Sequence, residues 1–369
     1  MKEMFDKWLA PIWSGEQMWE ESLCFYEDGM GEIGGGKLLY EPENLRLTNY
    51  DATIEYELHK DYELEGRCVK LLPGSRIPIL ARAIYCKPYE GVEWTDWLRL
   101  PDGKSLIMIF PEVYQYQILA SYFHKEEAWN TKVTGKVLPG LKKKLESREP
   151  VHLVFFGDSI TAGCEASGAD EATVDMGTLG NLQIRGNHYP HMPVWAQLIR
   201  DKIQQLYPGS RITKDNLASC GSHTEWAVAH MEELFGRVSA PDVVFIGFGM
   251  NCMWESAEIF GGRIRQIMDY VRTLNPHCEF VLYPAMVANG EMNAYQHHNM
   301  KEFEEVLLQM AREDEAVTAA PLYSMFCELL EKGKEYYEIS GNCVNHPNDF
   351  SIRLYGQLIL ASMGLDIRE

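Results

Sequence analysis

The chain has 369 residues, and 34 Lys and Arg against 54 Asp and Glu leave a formal charge of −20. That length suits about two domains with a sizeable buried core. Apolar content of 46% with 24% charged residues excludes a disordered or fibrous chain, and the acidic balance disfavours nucleic acid and anionic membrane surfaces as partners.

The first residues, Met1-Lys2-Glu3-Met4-Phe5-Asp6-Lys7, carry acids where a secretory signal needs a cationic and then an apolar stretch. No apolar run approaches the roughly 18 residues of a membrane span. Nine scattered cysteines, odd in number and without a CxxC pair, argue against a disulfide framework or a zinc ribbon. A soluble chain in the reducing cytoplasm is expected.

From about residue 30 to 135 the chain reads as strands. Thr53–Leu58 and Val113–Ile118 alternate polar and apolar residues, with turn signals at Gly34-Gly35-Gly36, Pro73-Gly74 and Pro101-Asp102-Gly103. Short strands at this spacing predict a β-sandwich or jelly roll over residues 1–140. The charged, proline-bracketed stretch that follows predicts a linker at 141–150, and its lysine run reads as a solvated face.

The pattern changes after Pro150. Val151–Phe156 is a nearly continuous apolar run, as are Val243–Phe248 and Phe280–Tyr283, which suits buried parallel strands. Helical periodicity lies between and after them at 194–206, 225–235, 264–274, 300–311 and 352–363. The alternation predicts a doubly wound parallel sheet over 151–369, with its site at the carboxyl ends of the strands.

Four segments at those ends carry reactive or polar groups. Gly157-Asp158-Ser159-Ile160-Thr161-Ala162-Gly163 presents a serine just past the first strand, between glycines that permit a tight turn. Asn216-Leu217-Ala218-Ser219-Cys220-Gly221 offers a glycine N–H, and Gly249-Met250-Asn251 a side-chain amide. Asn345-His346-Pro347-Asn348 supplies an imidazole before the last helix. A hydroxyl, two oxyanion donors and a base are the parts needed for acyl transfer.

In these blocks the sequence resembles the SGNH (GDSL) hydrolases, whose Ser, Gly, Asn and His blocks occur in the same order. The resemblance covers residues 151–369 and implies that their doubly wound parallel sheet is five-stranded and flavodoxin-like. The all-β region ahead of it, with the GMN and NHPND wording, resembles two-domain carbohydrate esterases of the acetylxylan-esterase type. The resemblance implies a serine esterase that removes O-acetyl groups from oligosaccharides through an acyl-serine intermediate, with no metal or cofactor. Ser159 would be the nucleophile and His346 the base. The Ser159 and Gly221 N–H groups and the Asn251 amide would form the oxyanion hole.

One departure bears on mechanism: the family's aspartate three residues before the histidine is Cys343 here. A thiol is a weak acceptor, so Cys343 through its carbonyl, or Asn342, Asn345 or Asp349 through a side chain, is expected to orient His346. A second departure, Cys252 after the block asparagine, bears on no principal catalytic group. Cys164, Cys220, Cys252 and Cys343 read as packing residues near a buried site. His188, His191, His297 and His298 read as surface or packing histidines rather than ligands.

The long stretch from Glu165 to Pro193 leaves the nucleophile strand and is placed to wall the substrate site. Tyr189, His191 and Trp254 are candidates for substrate contact, while Trp94 and Trp97 could line a groove or fill the β core. Two other readings stay open at this stage: a lipase or thioesterase on acyl chains, and a silent carbohydrate-binding protein. The oligomeric state is not legible.

Overall fold

In a computed structural model of the chain, residues 2–108, 112–125, 129–169 and 190–365 are described. Five parallel strands form the sheet of the second half, in the order Ile212–Asn216, Val151–Gly157, Val243–Phe248, Glu279–Pro284, Val317–Ala319. Numbered along the chain this is 2-1-3-4-5, the flavodoxin-like order, in which the ligand crevice opens between the first and third strands. Ser159 follows the first strand and Asn251 follows the third.

Burial explains the apolar runs. Leu153 and Phe155 point to one side of the sheet, while Val154 and Phe156 point to the other. The second side is covered by the helices Thr224–Phe235, Ala257–Leu274 and Met300–Glu313. The first side packs on Trp195–Leu206 and Asp349–Ser362. These five helices match the expected ones to within a few residues, apart from an added turn or two at the start of Ala257–Leu274. The two short edge strands, Ile212–Asn216 and Val317–Ala319, had no apolar run to mark them.

The amino-terminal region is antiparallel β, as expected. Its six-stranded sheet runs Ile33–Gly34, Gln17–Glu27, Gln117–Phe123, Glu43–Asn49, Glu55–Tyr56, with Ile79–Leu80 joined in parallel to Gln17–Glu27. Tyr62–Glu65 with Cys68–Leu71, and Cys86–Pro88 with Lys104–Leu106, form separate hairpins.

Two strand expectations shift. Only Glu55–Tyr56 of the run at 53–58 joins the sheet. Upstream, Asp51 Oδ1 takes the Thr53 N–H and hydroxyl, and Asn49 Oδ1 takes the Ile54 N–H, which ties 49–54 into a turn. In the second run, Glu112–Tyr116 is a 3₁₀ helix that buries Val113 and Tyr114, and the strand begins at Gln117.

The expected linker at 141–150 is corrected in its first part. Pro139–Glu146 is a helix with Leu141 and Leu145 buried. Its first turn is fixed by Glu279, whose two carboxylate oxygens accept the Gly140 and Leu141 N–H groups at 2.7 and 2.6 Å. The apolar residues Leu138, Leu141 and Leu145 make the buried stripe that the charged residues around them obscured.

A single apolar cluster runs from the antiparallel sheet into the second half, joining Leu23, Leu47 and Tyr122 to Trp195, Tyr355 and Leu358. Buried polar bonds cross the same boundary. Lys334 Nζ lies 2.9 Å from Glu21 Oε1 and 2.7 Å from the Ser22 carbonyl, and Glu338 accepts the Gly36 N–H. Burial lowers the affinity of Lys334 for its proton, but the facing carboxylates of Glu21 and Glu338 outweigh that and raise its pKa.

Candidate active site

Ser159 opens the short helix Ser159–Ala162, whose cap is Asp158; the Asp158 carboxylate accepts the Ile160 N–H at 3.0 Å. The serine is almost fully buried, and its Oγ lies 2.8 Å from Nε2 of His346. Desolvation pushes the carboxyl of the buried Asp158 up to about 6.

His346 sits in the loop between Ile339 and the last helix, and Asn342 builds that loop. Its Oδ1 accepts the backbone N–H groups of Val344, Asn345 and His346 at 2.9, 2.9 and 3.1 Å. The His346 carbonyl in turn accepts the Gly341 N–H and the Ser340 hydroxyl. From the antiparallel region, Gln117 donates to the Ser340 carbonyl at 3.1 Å. Asn348 donates to the Ser22 hydroxyl at 3.1 Å.

The partner of the second ring nitrogen is Glu165, whose Oε1 lies 3.0 Å from His346 Nδ1 with both side chains nearly buried. A carboxylate there fixes the proton on Nδ1 and leaves the Nε2 lone pair for the Ser159 hydroxyl. Burial raises the Glu165 pKa, and the adjoining imidazole offsets that only in part.

This corrects the four expected orienters, none of which meets the ring. The Cys343 carbonyl accepts from Asn289 Nδ2 at 2.9 Å, and its thiol, fully buried, is driven upward in pKa by desolvation. Asn342 spends its amide on the loop backbone, and Asn345 Oδ1 accepts from Asn342 Nδ2. Asp349 Oδ1 accepts the Ser167 N–H at 2.9 Å. No spacing rule in the sequence marks Glu165, six positions past the serine. The signal in the sequence was weak: the segment it opens was already expected to wall the site.

The two remaining blocks hang on the strand Val151–Gly157 that leads to Ser159. Gly157 O accepts both the Ser219 N–H at 3.0 Å and the Ser222 hydroxyl at 3.1 Å, which seats the turn carrying Gly221. Gly221 has φ +75, the left-handed region that a Cβ disfavours. Among the described residues neither its N–H nor that of Ser159 has a hydrogen-bond partner. Asn251 donates one amide hydrogen to the Ser222 carbonyl at 2.9 Å, leaving the second for another acceptor.

Of the expected substrate contacts, Trp254 is 60% exposed, three residues beyond Asn251, and His191 is exposed as well. Tyr189 and His188 lie outside the described residues, as does the side chain of Trp94. Trp97 is half-buried against the main core. Cys164 and Cys220 are both buried, with their sulfurs 3.4 Å apart.

Residues 155–350 match the model of the GDSL-like lipase/acylhydrolase family. The chain belongs to that family. It is therefore a carboxylic ester hydrolase, and the matched span takes in Ser159, Glu165, Gly221, Asn251 and His346. No curated protein matches it in sequence.

Among solved structures this GDSL-like hydrolase is similar to an acetylxylan esterase from Geobacillus stearothermophilus. The two are 18% identical, over 59% of this chain and 96% of that one, with a TM-score of 0.45. It is also similar to a two-domain esterase active on acetylated mannans, co-crystallised with mannopentaose. There the identity is 20%, over 62% of this chain and 54% of that one, with a TM-score of 0.44.

Proposed function

We propose that this hydrolase removes acetyl groups from acetylated oligosaccharides, with Ser159, His346 and Glu165 as its catalytic relay. The observation that carries the relay is the unbroken chain from Ser159 Oγ through both nitrogens of His346 to the Glu165 carboxylate. Ser159 Oγ attacks the ester carbonyl as its proton passes to Nε2, and Glu165 stabilises the imidazolium that forms. The developing oxyanion is held by the Ser159 and Gly221 N–H groups and the second Asn251 amide hydrogen. Nε2 then returns the proton to the departing sugar hydroxyl. Water, deprotonated by the same nitrogen, cleaves the acetyl-serine.

A sugar as the alcohol is supported by Trp254, a flat aromatic face left 60% exposed close in sequence to Asn251. An imidazole held at both nitrogens tells against a silent carbohydrate-binding protein. In this reading residues 151–369 carry the chemistry and 1–140 support them; the jelly-roll description of the latter rests on their sequence pattern. A cytoplasmic enzyme fits nine cysteines that are all free. Among the described residues no helix is long and apolar enough to cross a membrane.

Hydrolysis of aryl acetate, butyrate and octanoate esters tests the proposal, with Ser159→Ala alongside. Turnover of acetate in preference to the longer esters, lost in the variant, is expected, followed by acetate release from acetylated oligosaccharides. A preference for octanoate would move the substrate to acyl chains. Activity that survives in Ser159→Ala would remove the relay.

A further inference from the structure

Glu165 meets His346 from an unusual backbone position. Its φ is +70, which is costly for a residue with a long side chain and persists only where surrounding contacts fix it. Inside the segment the Gly163 carbonyl accepts the Ala166 N–H at 3.2 Å, closing a turn with Glu165 at its third position; side chains from outside tie that turn down. The Tyr114 hydroxyl, in the 3₁₀ helix of the antiparallel region, donates to the Glu165 carbonyl. Two residues on, the Ser167 N–H is held by Asp349 at 2.9 Å, and the Ser167 hydroxyl accepts the Met192 N–H at 2.7 Å. Asp349 Oδ1 is also 3.4 Å from the Tyr114 hydroxyl, so both anchors belong to one cluster. On the far side, a Cβ added to Gly341 would stand 2.6 Å from Glu165 Cβ, so the side chain has no slack in that direction.

We propose that Tyr114 is a positioning residue for the hydrolytic reaction. By holding the Glu165 carbonyl it fixes the left-handed backbone that aims the carboxylate at His346 Nδ1. The antiparallel region thus completes the active site from outside the hydrolase fold, with Asp349 as the second anchor through Ser167. The proposal rests on the relay assigned above, and Tyr114 itself touches neither substrate nor the reacting atoms. Tyr114 is buried, and its ring also packs in the core shared by the two halves, so the hydroxyl alone is the group to remove.

The test is steady-state kinetics on an aryl acetate across pH for the full-length wild type, Ser159→Ala, Glu165→Gln and Tyr114→Phe. Ionisable groups around the relay are His346, Glu165, Asp158, the Cys164 thiol and the Tyr114 phenol, with Asp349 and Arg353 behind them. In Tyr114→Phe, kcat is expected to fall roughly tenfold to a hundredfold at unchanged KM, as for a catalytic group displaced by about an ångström. The acid limb of kcat/KM should move to lower pH, the direction taken when a carboxylate leaves an imidazole. Glu165→Gln should show the same two signs more strongly.

Asp349→Ala, which frees the Ser167 N–H and removes the 3.4 Å contact of the Tyr114 hydroxyl while keeping that hydroxyl, should repeat the signature in weaker form. The proton resonance of His346 Nδ1–H, read directly by NMR in folded Tyr114→Phe, should move upfield. Wild-type kcat with an unmoved acid limb and an unmoved resonance in Tyr114→Phe would overturn the clamp, whatever happened to thermal stability. If instead wild-type turnover did not depend on Ser159, the relay reading would fail first, and with it this inference.

Discussion

The strand ends of the parallel sheet and the segment from Gly163 to Ser167 meet at the same imidazole but are held in different ways. Ser159, Gly221 and Asn251 are placed by backbone: each follows a strand or its adjoining turn, and the Gly157 and Ser222 carbonyls stitch them together. Glu165 sits in a turn closed by the Ala166 N–H and the Gly163 carbonyl, and that turn is tied down by side chains from far along the chain, Tyr114 ahead of it and Asp349 behind it. Groups of the first kind keep their positions as long as the sheet folds. Those of the second kind depend on packing between the two halves of the molecule, and single substitutions can displace them while the sheet stays intact.

Glu165→Gln breaks the second mode most directly. The amide keeps the shape of the side chain but cannot stabilise an imidazolium and can favour the wrong tautomer. A loss in kcat of roughly 10²–10⁴-fold is expected, judged by the cost of the same change in other relays. Circular dichroism should be unchanged, and a loss below about threefold would show that the relay ends at His346.

Asn251→Ala tests the first mode. Removal of this proposed oxyanion donor should lower kcat by about 10²–10³-fold, with KM nearly unchanged. The two variants should differ in pH behaviour as well. Glu165→Gln should move the acid limb of kcat/KM, whereas Asn251→Ala should leave it in place, because the donor carries no charge.

Asp349→Asn gives the smallest effect, and reads out in stability. Burial pushes the Asp349 carboxyl up to about 6, so the folded chain holds that proton more tightly than the unfolded one. The contribution is complete below the unfolded pKa near 4 and is lost as pH rises through about 6, on the order of 2–3 kcal/mol. Asparagine retains an acceptor for the Ser167 N–H and does not titrate. Denaturant melts from pH 4 to 7 should therefore show a shallower decline for Asp349→Asn than for the wild type. Asp158 and the other buried carboxyls shifted in the same direction, Glu165, Glu279, Glu304 and Glu338, supply the part of the slope that remains. Equal slopes would show that Asp349 is ionised in the fold at acid pH.

The same division explains what could be read from sequence. Buried parallel strands write themselves as apolar runs, and the groups at their ends lie in short blocks of consecutive residues, so Ser159, Gly221, Asn251 and His346 were all legible. Glu165 was not, because its place depends on a positive φ and on a tyrosine 51 residues earlier. Tyr114 itself lay in a run that alternates like a strand, and tertiary contacts turned it into a 3₁₀ helix. The helix Pro139–Glu146 was hidden likewise: its two leucines, with Leu138 just ahead of it, are spaced for burial, but charge and prolines around them suggested a tether. Local pattern reports which face is apolar; it does not report which distant carbonyl a hydroxyl will find.

The central claim is that Ser159 is a nucleophile activated by His346 and Glu165. An aryl phosphonate that traps serine nucleophiles, followed by peptide mass spectrometry, tests it without assuming a substrate. One adduct per chain, located on Ser159, is predicted. Its rate of formation should fall by at least about a hundredfold in both His346→Ala and Glu165→Gln. An adduct on another residue, or a rate on Ser159 indifferent to both substitutions, would contradict the account.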